Sequence, residues 1–202
     1  MTDETPPPRH EDEEIRGADL YGEEIRGARF TRCRFVDVDL TECSTQGTVF
    51  EDCTFSGVRF NVSRHTATAF LTCTFRDCRL FGATLDGCKL TGSTFVGCTL
   101  RPLTVRGGDW SYVALRAADL SGVDLSGVRL RESDLSASDL TRTVLAGCDL
   151  SNARLAGATL READLRGANL EGVALAEVTF DGTRMDVDQA LLVALAHGVV
   201  VG

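Results

Sequence analysis

The chain has 202 residues, 43% of them apolar, and a formal charge of −9. That apolar fraction excludes wholesale disorder, and the length suits one domain with a sizeable core. The acidity argues against direct binding of nucleic acid, because neutralising phosphates needs a basic surface.

The N-terminal stretch "MTDETPPPRHEDEE" has no apolar segment of the kind a signal peptide carries. Its prolines and acids predict a disordered tail from Met1 to about Asp12, residues 1–12. The longest apolar run, Ala190 to Ala196, is too short to span a bilayer. The expectation is a soluble, cytoplasmic protein that binds no membrane.

A repeat domain follows over residues 13–185. From Ile15 to Met185 every fifth residue can be read without a slip, which gives 35 positions, apolar at all but Thr45 and His65. The stretch "ADLSGVDLSGVRLRESDLSASDL", Ala118 to Leu140, shows the pattern. Leucine centres dominate the C-terminal part, and nine of the ten phenylalanines are centres in the repeat. The residue two before a centre is nearly always small. The residue two after is Gly in 17 cases, out of 20 glycines in the chain.

Period five belongs to neither an α-helix nor an ordinary strand. It has one physical reading. Residues two apart face the same way on an extended strand, so the centre and the small residue both point inward. The charged residue between them points out. The next two residues turn the chain, where Gly tolerates the dihedrals of a tight corner. The prediction is an all-β parallel solenoid whose coils hydrogen-bond to one another. Four sides of five residues make a 20-residue coil. Thr45 and His65 would then stack on one face, as would Cys33, Cys53 and Cys73, and Cys78 with Cys98.

All eight cysteines fall in the small inward column. There is no C-x-x-C pair, so no metal site is expected. Stacked coils would allow a disulfide ladder geometrically, but without an export signal reduced thiols acting as small hydrophobes are the expectation. His65 reads as a core histidine bonded to Thr45 or to backbone, and Trp110 as a core residue. Pro102, at a corner, removes one ladder hydrogen bond and is a place for a kink. No P-loop, dinucleotide fingerprint or nucleophile elbow occurs. Neither an enzyme nor a cofactor is expected.

The repeat stops at Met185, and residues 186–202, "DVDQALLVALAHGVVVG", form a cap. Asp186 and Gln189 resemble a capping box, Ala190 to His197 favours a short C-terminal helix, and Gly198 suits its end. Val199 to Val201 reads as a strand. A solenoid needs its last coil covered, yet a helix apolar all round needs two buried faces. The second face predicts a homodimer about a two-fold axis. Leu191, Leu192, Leu195, Val199, Val200 and Val201 are its expected contacts, giving a rod somewhat longer than 80 Å from coils about 4.8 Å apart.

The charge is uneven. Residues 1–15 carry net −5, residues 16–106 net +2 and residues 107–186 net −5, with Asp188 the last unit. With four sides, Asp119 and Asp139 stand in adjacent coils, Asp124 and Asp164 share the next face, and Asp109 and Asp149 the one after. Aspartate before leucine also simply suits an outward position on a soluble rod.

The A-D-L-S-G pattern resembles that of pentapeptide repeat proteins, which form right-handed four-sided β-helices. Within that family "FVGCTLRPLTV", "DLSGVDLSGVRLRESDL" and "DVDQALLVALAHG" are similar to the mycobacterial fluoroquinolone resistance branch, over about residues 28–202. The resemblance implies a dimeric rod that binds and inhibits DNA gyrase as an acidic mimic of duplex DNA, linked to quinolone resistance. On this reading Asp119, Asp124, Asp134, Asp139, Asp149 and Asp164 are the expected gyrase contacts. The repeat has no inserted loops, unlike plasmid-borne quinolone resistance relatives, which favours inhibition over protection from drugs. Two other functions fit the same rod: an immunity factor in a producer of a gyrase-directed compound, and a scaffold with no topoisomerase role.

Overall fold

The computed structural model describes residues 8–200. Its geometry repeats with the sequence. From Asp12 to Gly182 the residue two after each centre has φ near +60°, whether it is one of 17 glycines or one of 16 other residues. The two corners that depart are Pro102, which follows a cis peptide bond, and Glu177, which lies in a 3-10 turn at Leu175–Glu177. Glycine dominates the column because it alone adopts this conformation without a penalty.

Each coil pairs in parallel with the next at a register of 20. One face carries the strands Arg9–Glu11, Arg29–Thr31, Val49–Glu51 and Ala69–Leu71. The second carries Glu14–Arg16, Arg34–Val36, Thr54–Ser56, Thr74–Arg76 and Thr94–Val96. The fourth carries Glu24–Arg26, Ser44–Gln46, Arg64–Thr66, Ala83–Asp86 and Leu103–Arg106. The third, lying between the second and fourth, is held by single bridges from Asp19 to Asp39, Arg59, Arg79 and Thr99. Beyond Trp110 every face is held in this way.

The change follows the centres. Strand centres are mostly Phe, Ile, Thr or His, which suit an extended pleat. Leucine centres are mostly followed by a β-turn in which the next inward residue donates its N–H to the centre's carbonyl, as Val123 does to Leu120 at 3.0 Å. That bond with a positive φ at the third residue is the geometry of a type II turn.

The interior is two aromatic stacks below a leucine column. His10, Phe30, Phe50 and Phe70 stack at centroid distances of 4.7, 4.9 and 5.0 Å. Phe35, Phe55, Phe75 and Phe95 stack at 4.8, 4.8 and 4.4 Å. Edge contacts between the stacks, such as Phe50 to Phe55 at 5.4 Å, join them. Each such pair adds about 0.5–1.5 kcal/mol beyond its burial.

The inward small column does more than save space. Thr48, Cys53, Cys73, Ser93, Thr143 and Cys148 each direct a hydroxyl or thiol at the carbonyl of the centre 23 residues earlier. The cysteines are free thiols, and Cys98 is the half-buried one.

Two boundaries differ from expectation. The tail predicted to run to about Asp12 gives way earlier, because Arg9–Glu11 pairs with Arg29–Thr31 and His10 acts as one more centre on Phe30. Residues 1–7 lie outside the described part. At the other end Val199 and Val200 form no strand, the Val199 N–H being taken up by the Ala194 carbonyl at 3.0 Å in the turn that ends the helix, and Val201 lies outside the described residues.

The capping helix, α1 (Val187–Ala196), is one turn longer at its start than predicted. The Asp186 N–H donates to Gln189 Oε1 at 2.8 Å. Gln189 Nε2 donates to the carbonyls of Leu165 and Ala168, both at 2.7 Å. A residue read only as half of a capping box thus ties the helix to the coil beneath it.

Candidate interaction surface

The outward residue before each centre is the candidate surface, and its aspartates have a local reason to be there. Asp119, Asp124, Asp134, Asp139, Asp149 and Asp164 each accept, through Oδ1, the backbone N–H two residues on, at 2.9–3.1 Å. This is an Asx turn, which satisfies a donor at the corner. Asp19 and Asp39 do the same, and so does Asn169 toward Glu171. Where Asp or Asn stands in this column its side-chain oxygen satisfies the corner, and the charge is additional to that. Sequence reasoning missed this role; the signal was Asp two residues before Ser or Thr at the corners.

The six aspartates are not equivalent. Asp119 and Asp139 are bridge partners in adjacent coils on the third face. Asp124 lies one corner away on the fourth face, in the coil of Asp119. These three gather around the corners Ser121–Gly122 and Thr141–Arg142. Asp124 and Asp164 share a face but are separated by Val144. Asp134 stands alone on the second face between Ala114 and Arg154, and Asp149 on the first between Arg129 and Asn169. The file of acids expected there is broken by bases: the first face reads Lys89, Asp109, Arg129, Asp149.

Pairing divides them further. Arg166 holds Asp164 in a close ion pair at its own corner and keeps its carboxyl at about 2. Asp119 is met by Arg101 at 3.0 Å. Partial burial pushes the Asp119 carboxyl up, but Ser121 and Arg101 outweigh it and leave it below the usual carboxylate range. Burial likewise opposes a net lowering at Asp134, where Ser136, Arg116 and Arg154 prevail. Ser151, with help from Arg131 and Asn169, lowers Asp149. Asp119, Asp124 and Asp139 are exposed, whereas Asp134, Asp149 and Asp164 are half-buried. Asp19 and Asp39 form a second acidic doublet on the third face that the sequence reading passed over, with Asp39 bound by Arg59 at 2.8 Å.

The second candidate surface is the outer side of α1. Leu191, Leu192, Leu195, Val199 and Val200 are all exposed, Val200 at 92%. Val193 packs partly on the core below. Among the described residues no three His, Cys, Asp or Glu side chains gather so as to hold a metal ion. No helix there is long and apolar enough to cross a membrane.

Comparison with known proteins places these surfaces in context. A family model for pentapeptide repeats matches in eight copies, over residues 33–61, 73–101 and 111–186. No curated protein matches the sequence. Among solved structures, full-length QnrB1, a plasmid-mediated fluoroquinolone resistance protein, is 20% identical over 95% of this chain and 100% of its own, with a TM-score of 0.65. A trypsin-treated form of QnrB1 is 22% identical over 97% and 98%, again at 0.65. HetL, involved in heterocyst differentiation regulation in the cyanobacterium Nostoc, is 22% identical over 88% and 86%, with a TM-score of 0.53. At these identities the likeness is one of fold.

Proposed function

The chain belongs to the pentapeptide repeat family, and from that premise we propose that it is a non-catalytic acidic rod that binds DNA gyrase in place of duplex DNA and inhibits it, in the setting of fluoroquinolone resistance. The observation that carries the proposal is the group Asp119, Asp124 and Asp139 around one edge of the rod, where two like charges stand in register. Two carboxylates about 5 Å apart repel by about 0.8 kcal/mol in water, and sheets normally avoid such neighbours. The Asx turns account for the side-chain oxygen but not for the charge. Similarity of fold to QnrB1, a fluoroquinolone resistance protein, supports the same setting.

The mechanism is one of field and outline. Each DNA strand carries a charge every 3.4 Å along the axis. Coils about 4.8 Å apart offer carboxylates at a fixed radius on a rigid backbone. A protein surface of Lys and Arg that accepts DNA would accept this edge, with affinity falling as salt rises. The interleaved arginines narrow the mimic to this edge rather than a whole face. A dimer through the exposed side of α1 would double the rod and place both acidic C-terminal halves around its centre. The site of action would be cytoplasmic, with gyrase.

The direct test is a supercoiling assay with purified gyrase over a range of salt concentrations. Inhibition that weakens as salt rises is the expected result. An unaffected enzyme at micromolar protein would rule out the proposal and favour a scaffold.

A further inference from the structure

The third face carries a second feature of the opposite sign. Its outward column reads Asp19, Asp39, Arg59, Arg79, Thr99, Asp119, Asp139. The basic doublet lies between two acidic doublets, where alternation would have neutralised it. Arg59 is engaged by Asp39. Among the described residues Arg79, and Arg64 across the corner, form no ion pair.

The adjoining corner is built against its own stability. Val62 has φ +57°, a conformation that a β-branched residue adopts only under strain. The coils at Gly22 and Gly82 use glycine at this place. The other β-branched residue so held, Thr72, gains a hydrogen bond to Asp52 in return. Val62 gains none and is 43% exposed. Gly82 stands directly above it, and the adjoining Phe81, whose carbonyl accepts the Val62 N–H at 2.8 Å, is 55% exposed. Pro102, also exposed, continues the ridge. Strain, an exposed aromatic side chain and like charges coincide at one edge, and local violations of this kind concentrate at functional sites.

We propose that this ridge, Val62, Phe81 and Pro102 flanked by Arg59, Arg64 and Arg79, is a docking surface for an acidic element of a partner protein that carries an apolar side chain. Phe and Arg are the residue types that anchor protein interfaces. The arginines select a partner segment of opposite charge, and the net −9 of the chain disfavours nucleic acid as the occupant. Resting on the reading of gyrase as partner, the ridge would meet an acidic patch of that enzyme about two coils, roughly 10 Å, from the Asp119 edge.

The two surfaces predict opposite signs for one change. Replacing Arg64 and Arg79 by Glu makes the rod more acidic. A rod that is a DNA mimic alone should then bind gyrase more tightly. A ridge that meets acids should bind at least tenfold more weakly, with Phe81→Ala alone also weakening it. Arg64→Gln with Arg79→Gln is the milder pair, with the same sign expected, and thermal melts check folding. Binding of gyrase to the immobilised full chain is the readout. Unchanged or tighter binding of both arginine pairs overturns the ridge while leaving the acidic edge intact. Failure of the unaltered chain to bind gyrase removes both. A labelled single-stranded 20-mer bound by the unaltered chain, and lost in the arginine variants, would reassign the ridge to nucleic acid.

Discussion

Thr45 and His65 stand one coil apart inside the solenoid, and the threonine hydroxyl meets His65 Nδ1 at 2.7 Å. The surrounding network assigns every proton. Ser63 donates to the Phe60 carbonyl at 2.7 Å, so its oxygen accepts from His65 Nε2–H at 2.9 Å. Nδ1 is then the acceptor, Thr45 donates to it, and Thr45 accepts in turn from Thr68 at 2.6 Å. The ring is neutral and both of its nitrogens are bonded, and the cost of charging it comes from its burial rather than from a missing partner.

Between pH 6.5 and about 4, above the window of the lowered aspartates, stability should depend on pH through this ring. Burial pulls the His65 pKa down to about 4 from 6.5. The unfolded chain binds a proton below pH 6.5 and the folded chain only below about 4. Stability is full above that window and falls as pH drops through it, by up to about 3 kcal/mol. Denaturant melts at several pH values measure the slope. His65→Leu should flatten it and cost about 1–3 kcal/mol at pH 7, because Thr45 and Ser63 lose a partner.

Asp119, Asp124 and Asp139 replaced together by Asn should leave the fold intact. Asn169 already makes the same Asx turn with an amide oxygen, so the corner bonds survive and only charge is lost. Gyrase inhibition should weaken at least tenfold, about 1.4 kcal/mol. A folded triple variant that inhibits as well as the parent places the mimicry elsewhere.

Leu195→Asp puts a carboxylate in the last turn of α1, on its exposed side. Light scattering at micromolar concentration should give a dimer for the unaltered chain and a monomer for the variant. A monomer for both would withdraw the two-fold assembly.

Gln189→Ala removes three hydrogen bonds, to the carbonyls of Leu165 and Ala168 and from the Asp186 N–H. Leaving two buried carbonyls without this donor should cost about 1–3 kcal/mol. Hydrogen exchange should show protection lost in α1 and the last coil first, with the aromatic stacks unaffected.

Val62→Gly should raise stability by about 1 kcal/mol, since the left-handed strain is relieved against the extra backbone freedom of glycine. A fall in melting temperature would mean that the valine is held by packing rather than strained.

Much of this architecture could be read from one period. The number of sides was less plain: the spacing of 20 between Thr45 and His65, and among Cys33, Cys53 and Cys73, suggested four, because a buried polar group must find a partner, and the family resemblance implied the same. The strand at Arg9–Glu11 was hidden because proline and acids dominate the segment around His10, whose ring continues a stack that composition cannot reveal. The aspartates were visible as a column, but their partners were not: Arg166 bends back on its own corner, and Arg101 reaches Asp119 from the coil below. The ridge was missed because Phe81 sits one residue beyond a centre, where a single apolar residue leaves no periodic trace.

The register of 20 also sets the arithmetic by which such a rod can change length. Removing or adding 20 residues returns every column to itself, so core, corners and outward charges all keep their faces. A change of five preserves the buried column and the corner glycines but rotates everything downstream by a quarter turn. Asp119 would then leave the face of Arg79 while losing none of its local bonds within the corner. Insertions in fives are a route by which the interior stays fixed while the pattern of charge presented to a partner is redrawn.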